Sequence, residues 1–512
     1  MNSKNGFNPT TKTFHSLRPP APLPPPSQPL SITDYTLSIL RSNPSYSPST
    51  PFLIDSTSHN TLTYSSFIHQ FQSLATSLLT SYPTLTKNDV AFIVSPTSLH
   101  IPVLYFALLS IGVTVSPVNP LSTKTELTDL IKLTNPVIAF ATSASAKKLL
   151  PDASSFRFRL GLIIIDSPEF NLMLECKQIN KTGYKYVKVK QSDTAAVLYS
   201  SGTTGRIKGV ELTHRNFVAI TTSVNQSRFV KDESDDTVIH PISIYPLPLF
   251  HVFGFFMLIR SFSFGETLVL MERFDFEEMF KVTYIPVSPP LVVEMAKSEI
   301  VQGFGMTETG GGVTGMKSPD ECDRYGSAGR LSCNIEAKIV DPETGEALSP
   351  MQQGELWLRG PMIMKGYVRD KEATVATLDA EGWLKTGDLC YFDSDGFLYI
   401  VDRLKELIKY KAYQVPPAEL ERYLQSIPDV ADAAVIPYPD EDAGQIPMAY
   451  VVRRPGSQIS EAQIMDIIAK KVSPYKKIRR VAFINAIPKT PAGKILRREL
   501  VKHALSGVSS KL

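Results

Sequence analysis

"DTAAVLYSSGTTGRIKGVELTH", residues Asp193 to His214, decides how the chain is read. Its first part, Ala195 to Tyr199, is apolar and predicts a strand, and Thr213 predicts the N-cap of a following helix. Between them stand Ser200, Ser201, Gly202, Thr203, Thr204, Gly205, Arg206, Lys208 and Gly209. Glycines let a backbone approach an anion closely, hydroxyl and N–H groups donate to phosphate oxygens, and a lysine adds charge. The G-x-x-x-x-G-K-[ST] spacing is absent, so this is not a Walker loop. Alone, the segment reads either as a phosphate loop or as a polar turn rich in serine and threonine.

Outward from it, residues from about 30 to 400 alternate β-branched runs with helical patterns. "DVAFIVSP", "GVTVSPV", "PVIAFAT" and "LGLIIID" are near-continuous apolar strands, as in a parallel sheet covered on both faces. "IPVLYFALLSIGVTVSPV" is punctuated by Pro102, Gly112 and Pro117, and reads as a buried helix plus strand rather than a membrane span. From "GELWLRG" to "GFLYIVDR" the pattern shifts to short strands with turns, an antiparallel, barrel-like part. From about Arg403 a compact α+β unit follows: the helices "PPAELERYLQSI" and "SEAQIMDIIAKKV", with strands "AAVIPY", "MAYVVRR" and "RRVAFINAIP". The expected organisation is α/β, with a large domain over 1–402 and a small mobile domain over 403–512. At 512 residues the chain is too long for one ordinary core.

Composition excludes some classes. A net charge of +3 is too small to argue for nucleic acid or an anionic membrane. The basic run Lys476, Lys477, Arg479, Arg480, Arg497 and Arg498 reads mostly as a solvated face. Four widely spaced cysteines with no CxxC suggest neither a zinc site nor a disulfide framework. The proline-rich "RPPAPLPPPSQP" reads as a flexible or surface-hugging arm. Ser510, Lys511 and Leu512 form the SKL address that the peroxisomal import receptor reads.

Further segments narrow the choice at the loop. "YSSGTTGRIKGV", "PLPLFHVFGF", "QGFGMTET", "GELWLRGP", "TGDL", "VDRLKELIKYKAYQV" and "PKTPAGKILRREL" occur in that order. This set resembles the adenylate-forming superfamily, and within it the plant 4-coumarate:CoA ligase-like proteins, especially the peroxisomal group ending in SKL. The resemblance covers nearly the whole chain. It implies two half-reactions: a carboxylate attacks the α-phosphate of ATP to give an acyl-adenylate, and coenzyme A then displaces AMP. It also implies Mg²⁺. A luciferase-type monooxygenase and a catalytically impaired, non-enzymatic homologue are the alternatives on the same fold.

By this resemblance Ser200 to Lys208 wrap the β- and γ-phosphates, and Gln302, Gly303, Phe304, Gly305 and Thr307 belong to the nucleotide loop, with Glu308 holding the metal. Asp388, assisted by Arg403, would take the ribose hydroxyls. Lys494 would reach the α-phosphate and the substrate carboxylate. Asp402 to Lys405 would be the hinge. Lys409 and Gln414 would be presented to the adenylate, and His251 would close the acyl site. The apolar neighbours of His251 (Phe250, Val252, Phe253, Phe255 and Phe256) imply an apolar acid: a medium or long fatty acid, a jasmonate precursor or a hydroxycinnamate.

The chain departs from the family in one place. Relatives carry a strand, a "GGAPL"-type turn and a helix where Glu299 is here followed directly by Ile300, and a smaller shortfall falls near Phe280 and Lys281. Parallel strands need long crossovers, so losing such a unit predicts a gap in the sheet or forced re-pairing, and poor or absent adenylation.

Overall fold

The computed structural model describes residues 4–149, 158–175, 187–201, 207–226, 240–272, 302–411, 413–490 and 493–506. The Glu299–Ile300 junction, the shortfall near Phe280, residues 202–206 of the loop and the final Ser510–Leu512 all lie outside them.

A seven-stranded sheet forms the centre of the large domain. The strands Val90–Val94, Thr114–Val118, Ile138–Ala141 and Leu162–Ile164 are parallel, as their unbroken apolar runs require. Thr194–Ser201 joins this set parallel to Thr114–Val118. A second, four-stranded sheet places Ile242–Tyr245, Thr267–Leu270 and Pro51–Asp55 in parallel, with Thr61–Thr63 antiparallel at its edge. Two helices that are apolar all round, His100–Ser110 and Val252–Phe264, are buried along nearly their whole length. Among the described residues no helix is long and apolar enough to cross a membrane.

One strand was not expected. The phosphate segment does not pass from strand through loop to helix. Instead Ile207–Thr213 turns back antiparallel on Thr194–Ser201 before the helix His214–Gln226 begins. The alternation in "VEL" supplies the reason: Val210 and Leu212 are fully buried while Glu211 between them is not. Thr213 does cap the helix, its hydroxyl accepting from Asn216 N at 3.2 Å.

The antiparallel part is a six-stranded sheet that starts in the N-terminal arm with Phe7–Asn8 and Thr13–His15 and ends with Leu384–Phe392 and Leu398–Arg403. The proline-rich arm lies on the surface, fastened by side chains that reach its carbonyls. Gln191 Nε2 donates to Pro25 O at 2.7 Å and to Gln28 O at 3.0 Å, and Asn334 Nδ2 donates to Ala21 O at 2.8 Å.

The small domain has its own core. Ile408, Leu420, Leu424, Val435, Ile464 and Ile468 cluster apart from the large domain's core. Val430–Asp440 and Gly444–Arg453 form its long antiparallel pair, and Arg480–Phe483 adds in parallel. Ser460 and Gln463 close a capping box at the helix Glu461–Ala469, as the sequence implies.

Candidate active site

The segment "GFGMTETGG" folds as a tight hairpin. Gly303–Met306 runs antiparallel to Gly311–Gly315, with Thr307–Thr309 as the single turn between them. A Cβ on Gly305 would lie 2.2 Å from Gly311 O, so only glycine permits this approach. The Thr309 hydroxyl accepts from Met306 N at 3.0 Å and lies 2.6 Å from Gly311 O, to which it donates. Gln302 extends the pairing by accepting from Met316 N through its carbonyl at 3.0 Å. Phe304 and Met306 pack against the large core, while Gly303 and Gly305 stay exposed. The turn presents Thr307 and buries Glu308. Glu308 is held twice: Met364 N donates to its carbonyl at 2.8 Å, and the Tyr367 hydroxyl donates to Oε1 at 3.0 Å.

The phosphate hairpin packs beside this turn. Ser200 and Lys208 are register partners across it. Ser200 Oγ is buried with no hydrogen-bond partner among the described residues. Lys208 Nζ lies over the Tyr367 ring, 4.4 Å from its centroid. Gly202, Thr203, Thr204 and Gly205 fall outside the described residues, as does the side chain of Ser201.

The third group is built around Asp388. Gly387, at φ +72, makes the bend, Thr386 Oγ1 fixes it on Leu356 O at 2.8 Å, and Glu355 Oε1 accepts from Gly387 N at 3.0 Å. Asp388 is almost wholly buried, with Oδ1 3.2 Å from Arg403 Nε and Oδ2 unpartnered among the described residues. Burial pushes its pKa up to about 6, against the opposing pull of Arg403 and Lys494, while Glu406 and Glu308 add to the rise. Lys494, on the small domain, thus lies within electrostatic range of Asp388. Its loop is tied by Thr490, whose N–H donates to Lys494 O at 2.8 Å and whose hydroxyl accepts from Lys494 N at 3.2 Å. Lys494 keeps much of its surface in solvent, yet crowding by protein atoms, and then Arg403, lower its pKa below the usual lysine range.

The linker between the domains is fastened at several points. Leu404 N donates to Gly387 O at 2.9 Å, and Asp402 Oδ2 accepts from Ala418 N at 2.9 Å. Arg497 pairs with Glu406 and makes a bidentate contact with Glu421 at 2.7 and 2.8 Å. Arg497 is thus a structural cation, not part of a solvated face. Lys405 is exposed.

Not every expected residue joins this centre. Lys409 and Gln414 are register partners in the hairpin Ile408–Tyr410/Tyr413–Val415, and Lys409 N donates to Gln445 Oε1 at 2.8 Å. Lys409 is not among the charges that set the field at Asp388 or Lys494. His251 is the N-cap of the helix Val252–Phe264, and its Nδ1 accepts from Phe253 N at 3.4 Å. Burial lowers its pKa, so the neutral ring with its proton on Nε2 is favoured. Phe255 packs on Tyr105 and Phe217 at 5.2 and 5.3 Å, which commits it to the core rather than to an acyl cavity. Tyr367 and Glu406 went unnoticed in the sequence. Their contacts span 59 and 91 residues, and no local pattern signals them.

Comparison with known proteins places this geometry. The AMP-binding enzyme family matches residues 40–299 and 292–368, and the AMP-binding enzyme C-terminal domain matches 419–494. The chain is 52% identical over 563 aligned positions to 4-coumarate--CoA ligase-like 9 of Arabidopsis thaliana, covering 100% of the chain and 98% of the relative. It is 40% identical over 565 positions to Peroxisomal OPC-8:0-CoA ligase 1 of the same plant, covering 100% of both. Because 563 positions are aligned against 512 residues, roughly fifty positions of the first relative face a gap. The two family matches meet at 292–299, beside the Glu299–Ile300 junction. Among solved structures, ATP-bound MatB from Rhodopseudomonas palustris superposes with a TM-score of 0.80 at 22% identity, over 93% of this chain and 99% of that one. The apo form of that enzyme gives 0.69 over the same shares. The o-succinylbenzoate CoA synthetase of Bacillus subtilis, in complex with its acyl-adenylate, gives 0.75 at 24% identity over 91% and 97%. These findings favour an acid:CoA ligase over a monooxygenase or a non-catalytic homologue. The chain belongs to the AMP-binding enzymes, in their 4-coumarate:CoA ligase-like branch, and is an ATP-dependent acid:CoA ligase that works through an acyl-adenylate.

Proposed function

We propose that the chain activates an apolar carboxylic acid, with Asp388, Lys208, Glu308 and Lys494 as the groups that meet the nucleotide. The observation that carries this reading is Oδ2 of buried Asp388, which has no partner among the described residues. A buried carboxylate oxygen with no donor is costly unless a ligand supplies one, and the vicinal hydroxyls of a ribose are suited to do so. Lys208 and the unpartnered Ser200 hydroxyl stand at the foot of the phosphate hairpin and face the β- and γ-phosphates in this reading. Lys494 neutralises charge at the α-phosphate and holds the acid's carboxylate beside it; two anions must meet there, so positioned positive charge does most of the work.

Mg²⁺ fits the residues present. Glu308 offers one carboxylate whose Oε1 is fixed by Tyr367, and Mg²⁺ is usually held by one or two carboxylates together with substrate phosphates. When bound, the ion neutralises phosphate charge and orients pyrophosphate for departure. The small domain turns about Asp402 to Lys405 between half-reactions, a reading supported by its separate core, so that Lys409 and Gln414 face the adenylate only in part of the cycle. His251, at the helix end and half-exposed, closes the acyl site.

An apolar acid is supported by the apolar residues of the two motifs, Val252, Phe253, Phe304 and Met306, and by the relative named for an OPC-8:0 substrate. Acyl-CoA formation measured by mass spectrometry should favour medium and long fatty acids, a jasmonate precursor or hydroxycinnamates over dicarboxylates. Preference for malonate or succinate would sink the apolar reading.

Asp388 sets a pH dependence. Its folded-state pKa lies above the usual carboxylate value, so the acceptor is lost as pH falls through about 6 and is complete above it. Adenosine is the suitable probe, because the phosphate of AMP titrates in the same range. Its affinity by calorimetry should decline below about pH 6 and lose that dependence in Asp388→Asn. An unchanged profile in the variant would remove Asp388 from the ribose site.

Peroxisomal import is supported by the Ser510–Lys511–Leu512 tripeptide and by the peroxisomal relative. A fluorescent fusion ahead of the full chain should colocalise with peroxisomes and become diffuse when the tripeptide is deleted. Unchanged location after deletion would refute the assignment.

A further inference from the structure

Tyr367 belongs to none of the motifs that identify the chain, yet it touches both charged ends of the phosphate site. It sits in the two-residue strand Gly366–Tyr367, which pairs antiparallel with Ile207–Thr213 at Val210. Lys208 is two residues before Val210 and so projects from the same face of that strand, which carries its ammonium over the neighbouring ring. The strand can reach this position only because residue 366 is glycine: at φ +152, a Cβ there would lie 2.8 Å from Thr374 Cγ2. Tyr367 N is fixed in turn on Thr374 Oγ1 at 2.9 Å. The side chain is buried, and its hydroxyl points away from Lys208 to Glu308 Oε1 at 3.0 Å.

A cation on the face of a phenol ring draws electron density from it, and the O–H donates more strongly for that. The same side chain thus meets two opposite charges, Lys208 over its ring face and Glu308 at its hydroxyl. Lys208 and Glu308 form no ion pair among the described residues; each is instead engaged with Tyr367. A lysine and a carboxylate joined in a salt bridge would offer less charge to a phosphate and to a metal ion.

We propose that Tyr367 is a positioning residue for the nucleotide–metal complex: its hydroxyl holds one oxygen of Glu308, its ring holds Lys208, and the two charges are kept apart for Mg²⁺ and for phosphate. This rests on the reading of Glu308 and Lys208 given above. It assigns a role to a residue that itself meets neither ligand.

Two variants separate the two functions. Tyr367→Phe keeps the ring under Lys208 and deletes the donor to Glu308. Tyr367→Leu deletes both and leaves Lys208 free to pair with Glu308. Dissociation constants for ATP with excess EDTA, ATP with Mg²⁺, and adenosine would be measured by calorimetry on the full chain, with thermal midpoints recorded alongside. In Tyr367→Phe the advantage conferred by Mg²⁺ should shrink by about tenfold, the worth of one hydrogen bond to a charged group, while metal-free ATP binds as before. In Tyr367→Leu metal-free ATP should weaken as well, and adenosine should bind within about twofold of the wild type in both. If both variants lose thermal stability with the Mg²⁺ advantage unchanged, Tyr367 is only a packing residue and the proposal is overturned. If the wild-type chain binds ATP equally well with and without Mg²⁺, the assignment of Glu308 fails first and the proposal falls with it.

Discussion

A buried carboxylate needs positive charge beside it, and Asp388 is where this chain collects that charge. Arg403 comes from the strand that ends the large domain, and Lys494 from the glycine loop of the small one. The pairing does more than tune one acid. It also leaves one oxygen of Asp388 without a donor among the described residues, in a place where water is largely excluded. The surrounding structure serves that arrangement. The Gly387 bend turns the carboxylate inward, Leu404 ties the linker back to Gly387, and Arg497 locks Glu406 and Glu421 so that the Lys494 loop has a firm base.

A second support lies between the two phosphate-facing hairpins. The Gly303–Gly315 hairpin is built on close backbone approach, which glycine alone allows at Gly305, and both hairpins are fastened to the short stretch Met364 to Tyr367. The chemistry is thus carried by loops, but the loops are positioned by sheet edges.

Much of this was legible before any coordinates. The apolar runs specify parallel strands because a strand covered on both faces cannot alternate, and the observed sheet follows them. The capping signals at Thr213 and Ser460 acted as local chemistry predicts. The loops stood out because glycine, threonine and lysine at close spacing have few structural uses. What stayed hidden was non-local. Ile207–Thr213 is short and half-polar, so its strand character emerges only from pairing with Thr194–Ser201. Tyr367 looks like any tyrosine after a glycine until Lys208 and Glu308 are placed around it. His251 looks purely functional in its motif, but it also caps a buried helix, and Phe255 beside it is spent on the core.

The shortened joint at Glu299–Ile300 is the strongest challenge to this account, since roughly fifty aligned positions of a close relative have no counterpart here. The loop that follows the joint nevertheless keeps its hairpin, its buried Glu308 and its contacts to Met364 and Tyr367. Retained geometry argues for retained chemistry. The most direct measurement is acid-dependent ATP–pyrophosphate exchange by the purified 512-residue chain, beside Lys494→Ala as control. The account predicts exchange that requires the acid and falls by at least about a hundredfold in the variant. A folded chain that binds ATP but shows no more exchange than Lys494→Ala would contradict it.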